Sequence, residues 1–415
     1  MKLLALTYGT EGDTRPLAAL CRALMDAGHE VLLLADRNTL ASARRLGVPH
    51  AALGGNMQES LADLVSQGKG VNATVAALSG IANAQAQSWM RQAAEAAAGC
   101  DGMIVSGLAA FVGLSIADRF GIPAIGAGMI PISPTSAFAS PFLPAGKLPS
   151  VLNKASHHLV NGLLWLSFRK AVNRARRQVL DQGPRHRLWT GHPMLYGVSP
   201  ALLPPPADWP ANARLCGQWL EPADDAWSPP AELEGFLKAG KPPVYVGFGS
   251  MMGFDREALL RTLFDGLEGE RVLFHPGWSG LPDVRLPQDC LVIGNTPHGW
   301  LFPRTSLVMH HGGSGTAHSA CRAGVPSAVL PFAGDQFFWA HQLARLGVAD
   351  APISTRQLDA GAIKAAVRFA GLPTTRSSAV ALARAMSRED GTAVAVREIE
   401  SIPGRHVAKK NGEKS

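Results

Sequence analysis

The segment His310–Thr316, with the sequence His-His-Gly-Gly-Ser-Gly-Thr, contains residue types that suit an anion. It lies between an apolar stretch that predicts a strand and a stretch that favours a helix. Its glycines let the backbone approach a ligand closely, and the free N–H groups and dipole of the following helix attract negative charge. His311 can donate to phosphate oxygens, and Thr316 adds a hydroxyl. The segment therefore predicts a diphosphate-binding turn.

The paired histidines also raise the alternative of a metal site, with His298 and His318 nearby in the sequence. None of these histidines form a pair with the i, i+4 helical spacing of a zinc site, and no carboxylate accompanies them. The chain also lacks Asp-x-Asp, the paired-carboxylate motif that holds divalent cations. We therefore expect no metal, so protein groups must neutralise a bound diphosphate.

Asp13 is the candidate general base, because it follows the first predicted strand at the end where open α/β sheets bind ligands. A second interpretation stays open: Asp13 shortly precedes Pro16, which is typical of a residue that caps a helix. The same turn is a poor dinucleotide site. Gly9 and Gly12 do not complete G-x-G-x-x-G, and Asp36 is the one acid that ends the second predicted strand.

An alternating β/α framework would bring these residues together. A helix-like stretch followed by Gly, an aliphatic residue, Pro and an apolar strand recurs at 47–49, 121–123 and 324–326. Glycine supplies the left-handed residue after a helix, and proline prevents the helix from continuing. Because the pattern occurs in both halves, the sequence predicts an α/β protein with two doubly wound, Rossmann-like domains.

Length and composition agree with two domains. The chain has 415 residues, of which 47% are hydrophobic and 17% charged, and this length exceeds one ordinary core. The proline-dense stretch 204–243 is typical of an interdomain connection. We predict a first domain over 1–220, a second over 221–390, and a C-terminal helix with a basic tail over 391–415.

Charge and cysteine usage narrow the class of protein. The formal net charge is +7, with the positive residues concentrated at 169–187 and 405–414 without interleaved aromatic residues, which argues against nucleic-acid binding. The five cysteines are scattered without Cys-x-x-Cys spacing, as in a reducing compartment. Leu3–Tyr8 is too short for a signal-peptide core, and no apolar run reaches membrane-spanning length. These features predict a cytoplasmic protein.

Several blocks together resemble the signature of the UDP-glycosyltransferase superfamily, family 1 of the glycosyltransferases. They are the segments 7–16, 246–250, 298–303, 310–316, 323–326, 330–332 and 334–336. Within the family they are most similar to the sterol glucosyltransferases and to the bacterial macrolide and glycopeptide glycosyltransferases. The resemblance implies a GT-B fold, in which an N-terminal acceptor domain and a C-terminal nucleotide-sugar domain face a central cleft.

Position by position, the resemblance implies roles for individual residues. The donor diphosphate would contact His311, Gly313, Ser314, Gly315, Thr316 and Ser250. Asp335 and Gln336 match an acidic-amide pair that binds sugar hydroxyls, with helix capping as the alternative for Asp335. Asp13 occupies the position of the catalytic Asp of the bacterial branch.

The resemblance assigns the residues that contact the nucleoside less completely than those that contact the diphosphate. Ser319 stands where many plant members carry a Glu that holds the ribose, so the choice between uridine and thymidine donors stays open. Trp278 follows a predicted strand of the donor domain and either packs against the base or belongs to the core.

A Pro/Ser-rich segment at 130–150 is the expected acceptor loop, where Phe138, Phe142 and Leu143 favour an apolar molecule. The helix that follows carries leucines among arginines and lysines. We expect an ordinary amphipathic domain helix rather than a membrane-surface anchor, which leaves at most peripheral membrane contact.

The sequence thus predicts an inverting, metal-independent glycosyltransferase that moves a hexose to a hydroxyl of a lipophilic small molecule. The expected donor is UDP-glucose, with a dTDP-deoxysugar as the alternative. The nucleotide sugar is a co-substrate, and no cofactor is expected. The residues also allow a nucleotide-sugar epimerase or a non-catalytic sugar-nucleotide sensor, whereas the incomplete glycine pattern disfavours an NAD-dependent oxidoreductase.

Overall fold

The computed structural model describes residues 1–56, 71–144, 146, 148–223, 226–249, 256–277 and 286–402, with the backbone alone for 71–78 and 256. Two parallel sheets organise these residues. The strands are β1 (Lys2–Leu6), β2 (Glu30–Asp36), β3 (His50–Leu53), β4 (Gly102–Val105), β5 (Ala124–Gly128), β6 (Met194–Tyr196), β7 (Ala213–Leu215), β8 (Val244–Gly247), β9 (Val272–His275), β10 (Cys290–Val292), β11 (Leu307–His310) and β12 (Ser327–Val329).

The first sheet has the order β3-β2-β1-β4-β5-β6-β7 among the described strands, all paired in parallel. Leu4 and Leu6 of β1 pack into the core on one face, and Leu3 and Ala5 pack into the core on the other. Burial on both faces explains why β1 is a continuous apolar run. Its helices are α1 (Glu11–Asp26), α2 (Ala41–Arg45), α3 (Val71–Ala96), α4 (Ala110–Phe120) and α5 (Asn153–Leu180).

The second sheet has the order β10-β9-β8-β11-β12 among the described strands and is also parallel. Its helices are α6 (Ala231–Lys238), α7 (Arg256–Gly266), α8 (His298–Leu301), α9 (Ser314–Ala323), α10 (Gln336–Arg345), α11 (Ala360–Gly371) and α12 (Pro373–Met386). The two-sheet α/β architecture agrees with the predicted fold class.

Each sheet reverses its strand order once near its centre. The reversal lies between β1 and β4 in the first sheet and between β8 and β11 in the second. Loops that leave the carboxyl ends of strands at such a point diverge and open a crevice for ligands. The turn Gly9–Thr10 follows β1 and the turn His311–Gly313 follows β11, so both candidate sites lie at these crevices.

The predicted helix-to-strand returns form as expected. Gly121 ends α4 and Gly324 ends α9, and both have left-handed backbone with φ of 63° and 71°. The strands β5 and β12 begin shortly after Pro123 and Pro326.

The last helix among the described residues, α13 (Gly391–Glu400), returns to the first domain. Its Ala395, Val396 and Ile399 pack into the same core cluster as Leu17 and Leu20 of α1. An ion pair at 3.1 Å joins Glu398 to Arg214, and Nε2 of His29 lies within hydrogen-bond distance of Glu400, at 3.1 Å. The chain therefore crosses between the domains a second time.

Candidate active site

One large cleft, of about 3050 Å³, lies between the two sheets. Its walls include Tyr8–Asp13 from the first domain and His311 with Gly313–Thr316 from the second. The carboxyl ends of both sheets therefore face the same space. The cleft is large enough to hold a nucleotide sugar together with a second small molecule.

The turn predicted to bind a diphosphate connects β11 to α9. Gly313 is the N-cap residue of α9, and among the described residues no side chain caps this helix. A Cβ added to Gly313 would lie 2.5 Å from Nε2 of His311, so a larger residue would displace the imidazole. Glycine here lets the ring lie beside the first turn, where backbone N–H groups and the helix dipole attract an anion.

His311 presents a neutral donor to this position. Its Nδ1 is buried and has no hydrogen-bond partner among the described residues. Burial lowers the pKa of His311 to about 4, so the ring is uncharged at neutral pH. Nε2 is the ring nitrogen that lies beside Gly313, so an oxygen of a diphosphate at the helix N-terminus would accept a hydrogen bond from this atom rather than from the enclosed Nδ1.

Two other histidines near the turn make hydrogen bonds to groups of the protein itself. His310 is fully buried, and its Nδ1 accepts from the N–H of Gly312 at 3.0 Å. His318 Nε2 accepts from the Ser199 N–H at 3.1 Å, which leaves Nδ1 to donate to the carbonyl of Ser314 at 2.7 Å. The hydrogen bond from Ser199 to His318 joins the first domain to α9.

His298 stacks on Phe302 with ring centroids 4.2 Å apart. Burial is the largest cause that lowers the pKa of His298 to about 3. The described part of the chain holds no group of three or more His, Cys, Asp or Glu side chains placed to bind a metal ion. Metal independence itself remains a prediction.

Asp13 lies in the first turn of α1 and lines the cleft. Thr10 is the N-cap, and its backbone N–H donates to Asp13 Oδ2 at 2.8 Å while its hydroxyl donates to the same oxygen at 3.3 Å. Thr10 rather than Asp13 is therefore the N-cap residue, and Asp13 takes part in the cap as the second side chain of a capping box. This role does not exclude a catalytic one, because the carboxylate still borders the cleft.

The surroundings of Asp13 hold its carboxylate in place and change its acidity. A Cβ added to Gly9 would lie 2.1 Å from Asp13 Oδ2, so the carboxylate packs directly over that glycine. Burial raises the pKa of Asp13, and the Thr10 hydrogen bonds oppose the change. A carboxyl with a raised pKa is a better proton acceptor than an ordinary Asp.

Asp335 and Gln336 begin α10 on the opposite wall. Asp335 Oδ2 accepts from Trp339 Nε1 at 2.9 Å, and within the described residues its side chain caps no N–H of α10. Burial is the main cause that raises the pKa of Asp335 to about 6, and the charge of Asp13 adds to it. The two carboxylates thus interact across the cleft.

Gln336 supports the turn before α10. Its Oε1 accepts from the N–H groups of Phe332 at 2.8 Å and Ala333 at 3.1 Å. The amide is therefore oriented by the backbone next to the position predicted for the sugar.

The structure places the remaining predicted residues in different surroundings. Ser319 lines the cleft, and its Oγ accepts from Gln218 Nε2 at 3.4 Å. Phe142 and Leu143 also line the cleft. Phe138 instead packs on Phe338 and His157, at 5.1 and 5.6 Å, and is not brought to the cleft wall. Ser250 and Trp278 lie outside the described residues.

Arg15 is a cleft residue that the sequence reasoning missed. It lies on α1, 3.8 Å from Glu11, and its charge contributes to lowering the pKa of His298 and His275 in the second domain. A cation of the first domain is therefore close to the diphosphate side. The one signal in the sequence is its position two residues after Asp13.

Solved structures share this architecture. The glycotransferase of kitacinnamycin has a TM-score of 0.69 at 19% identity, with 96% of this chain and 98% of that chain covered. The glycosyltransferase SnogD from Streptomyces nogalater has a TM-score of 0.64 at 19% identity, with 97% and 99% covered. At such identities the likeness concerns the fold alone, and it defines a GT-B glycosyltransferase architecture.

Sequence relatives define the family. A sterol 3-beta-glucosyltransferase of Arabidopsis thaliana is 30% identical over 416 residues, with 95% of this chain and 67% of the relative covered. One from Yarrowia lipolytica is 31% identical over 427 residues, with 96% of this chain but 28% of the relative covered. Residues 267–401 match the family described as Erythromycin biosynthesis protein CIII-like, C-terminal domain. The chain belongs to the family 1 glycosyltransferases with the GT-B fold.

Proposed function

We propose that this protein transfers glucose from UDP-glucose to a hydroxyl of a sterol-like lipophilic molecule, with inversion and without a metal. The observation that carries the proposal is that Asp13 and the N-terminus of α9 border one cleft from opposite domains. This arrangement offers a proton acceptor on one wall and a diphosphate site on the other. The names of the plant and fungal relatives support a sterol-like acceptor.

The reaction is a single displacement at the anomeric carbon. The acceptor oxygen forms the new bond to this carbon while Asp13 takes its proton. The bond from the carbon to the diphosphate breaks on the opposite face, so the configuration inverts and the nucleoside diphosphate leaves. His311, Thr316 and the N-terminus of α9 stabilise the negative charge on the leaving group.

The sugar lies beside Asp335 and Gln336 in this proposal. With a pKa of about 6, Asp335 is mostly ionised at neutral pH and accepts hydrogen bonds from sugar hydroxyls. Gln336 is held by the backbone of Phe332 and Ala333, so its amide adds a fixed polar group to the same wall.

The thymidine alternative has a specific observation in its favour. Ser319 gives the cleft a hydroxyl where a longer acid would grip a ribose, and one neighbour of similar fold is a glycosyltransferase in complex with DTDP. Calorimetry with UDP and dTDP separates the two. If UDP binds about tenfold more tightly than dTDP, the result supports a uridine donor. If dTDP binds more tightly, the donor is a thymidine nucleotide sugar instead.

The decisive experiment is a donor-by-acceptor screen read by mass spectrometry in the absence of added metal. UDP-glucose with a sterol is expected to yield the acceptor mass plus one hexose. Anomeric analysis of the product should show a β-glucoside from the α-linked donor. Conversion of the nucleotide sugar to an isomer without transfer would instead indicate an epimerase.

A further inference from the structure

The exposed face of α5 carries leucines that face solvent. Leu159, Leu163 and Leu166 are 62%, 53% and 52% exposed, and their spacing of four and three residues puts them on one side of the helix. Val151, just before the helix, is 84% exposed. We call Leu159, Leu163, Leu166 and their basic continuation, Lys170, Arg174 and Arg177, the α5 stripe.

These leucines lie outside the core, although α5 is amphipathic as expected. The core side of α5 is formed by other residues, namely Trp165, Phe168, Val172 and Ala175. The helix therefore has apolar residues on two sides along its first half. An apolar side that faces solvent marks an interaction surface.

The second half of the α5 stripe is cationic. Lys170, Arg174 and Arg177 are exposed and continue the line of the leucines at helical spacing. In the sequence of α5, six residues are Lys or Arg and none is Asp or Glu. Apolar residues followed by cations on one helix face match the two layers of an anionic lipid surface, acyl chains and phosphates.

The α5 stripe adjoins the mouth of the cleft. His158 and Asn161, which flank the first leucine of the stripe, line the cleft together with Phe142 and Leu143 of the preceding loop. Phe142 is itself exposed. A molecule that leaves a bilayer at the stripe would therefore be within one helical turn of residues that line the cleft.

We propose that the α5 stripe docks this protein on an anionic lipid bilayer, from which the lipophilic acceptor enters the cleft. The docking is independent of the proposed function, and only the route of the acceptor rests on it. A second copy of the chain fits this surface less well. A symmetric antiparallel pairing would place the acid-free, basic helix of one copy against the same helix of the other.

Vesicle co-sedimentation of the full chain tests the docking without donor or acceptor. We expect binding to phosphatidylcholine vesicles that contain about 30% phosphatidylglycerol, little binding to pure phosphatidylcholine, and release at high salt because screening weakens the cationic half. The triple change Leu159→Ser, Leu163→Ser, Leu166→Ser should weaken binding at least about tenfold. So should Lys170→Glu, Arg174→Glu, Arg177→Glu.

The matched control is Leu372→Ser with Val380→Ser, which removes comparably exposed apolar side chains, 45% and 43%, from the second domain. It should bind like the parent. Equal binding to neutral and anionic vesicles, absence of binding, or unchanged binding of the leucine triple variant would overturn the proposal. A dimer in sedimentation that the triple variant abolishes would assign the stripe to self-association instead.

Activity separates this proposal from the proposed function. The triple variant should keep turnover with a short, water-soluble acceptor alcohol within about twofold of the parent, because no changed residue contacts the donor side of the cleft. Its turnover with a sterol held in anionic vesicles should fall about tenfold or more. Equal turnover by parent and variant on vesicle-held sterol would refute the acceptor route.

Discussion

Single residues in the cleft serve two purposes at once. Asp13 caps α1 through Thr10 and also borders the space where an acceptor hydroxyl would lie. His311 fits over Gly313 and also presents an unpartnered buried nitrogen among the described residues. Substitutions that keep one role and remove the other can therefore separate structure from chemistry.

Asp13→Asn should leave the fold and the UDP affinity nearly intact while turnover falls by about 10²–10⁴, the usual contribution of a positioned base. The Asn oxygen can still accept from the Thr10 N–H that now donates at 2.8 Å, so the cap survives. Circular dichroism and UDP calorimetry control for folding and donor binding. Turnover within about threefold of the parent at saturating acceptor would leave Asp13 as a cap only.

His311→Ala should weaken UDP binding by about tenfold or more, because a hydrogen bond to a charged group contributes about 1.5–3 kcal/mol. Turnover should fall as well, since the same contact strengthens as the leaving group gains charge. Calorimetry measures the first effect. An unchanged UDP affinity in His311→Ala would remove His311 from the site. His310→Ala is not a suitable control, because that ring is buried in the turn.

Asp335→Asn should stabilise the protein against unfolding near pH 8 while it lowers turnover. With a folded pKa of about 6, Asp335 keeps its proton in the folded state at pH values where the unfolded chain has already released it. The free energy of unfolding therefore falls as the pH rises from about 4 to about 6. Asn carries no charge, so it removes this destabilisation. Its side-chain oxygen can still accept a hydrogen bond from Trp339 Nε1.

The expected gain from Asp335→Asn is about 1–3 kcal/mol above pH 7, and it should vanish below about pH 4. Urea unfolding at pH 4 and pH 8 measures both values. A variant less stable than the parent at pH 8 would show that the carboxylate is favourably solvated in the cleft.

At the scale of elements, α13 shows how the two domains depend on one another. It follows the helices of the second sheet but buries Ala395, Val396 and Ile399 against α1 of the first domain. α1 in turn carries Asp13 in its first turn. The packing of the C-terminal helix therefore supports the element that positions the candidate base.

Ile399→Ala should lower the free energy of unfolding by about 2–5 kcal/mol, the range for truncating a buried Ile. The side chain is almost fully buried, so its truncation should leave a cavity in the core. Denaturant unfolding measures it, with Val380→Ala as the exposed counterpart expected to change stability by less than about 0.5 kcal/mol. Equal stability of Ile399→Ala and the parent would contradict the docking of α13.

At the scale of the whole molecule, the two domains contribute different groups to the cleft. The second domain contributes the imidazole of His311 and the hydroxyls of Ser314 and Thr316, while Phe142 and Leu143 come from the first domain. Among the described residues no helix is both long and apolar enough to cross a membrane.

Chelation tests whether protein groups alone neutralise the leaving diphosphate. Activity should survive EDTA, because the helix N-terminus, His311 and Thr316 provide the stabilising contacts and Arg15 lies nearby. Loss of more than about 90% of the rate in EDTA, with recovery in magnesium, would overturn metal independence.

Local features of this protein were determined by the sequence itself. Residues within a few positions of each other account for the buried strands β1, β8 and β11, the glycine and proline returns, and the glycine-rich turn at 310–316. Dihedral preferences and side-chain periodicity act over that distance. The short strands β6 and β7 escaped prediction because pairing with neighbouring strands, rather than their own three residues, stabilises them.

Tertiary structure alone decided which surfaces and charges meet. The sequence places Asp13 and Asp335 more than three hundred residues apart, and only the folded cleft lets one raise the pKa of the other. The same holds for His318, whose partner Ser199 belongs to the other domain. It also holds for the leucines of α5, which are exposed while other residues of the helix fill the core. Burial and proximity depend on what distant parts of the chain cover, and no local pattern encodes that.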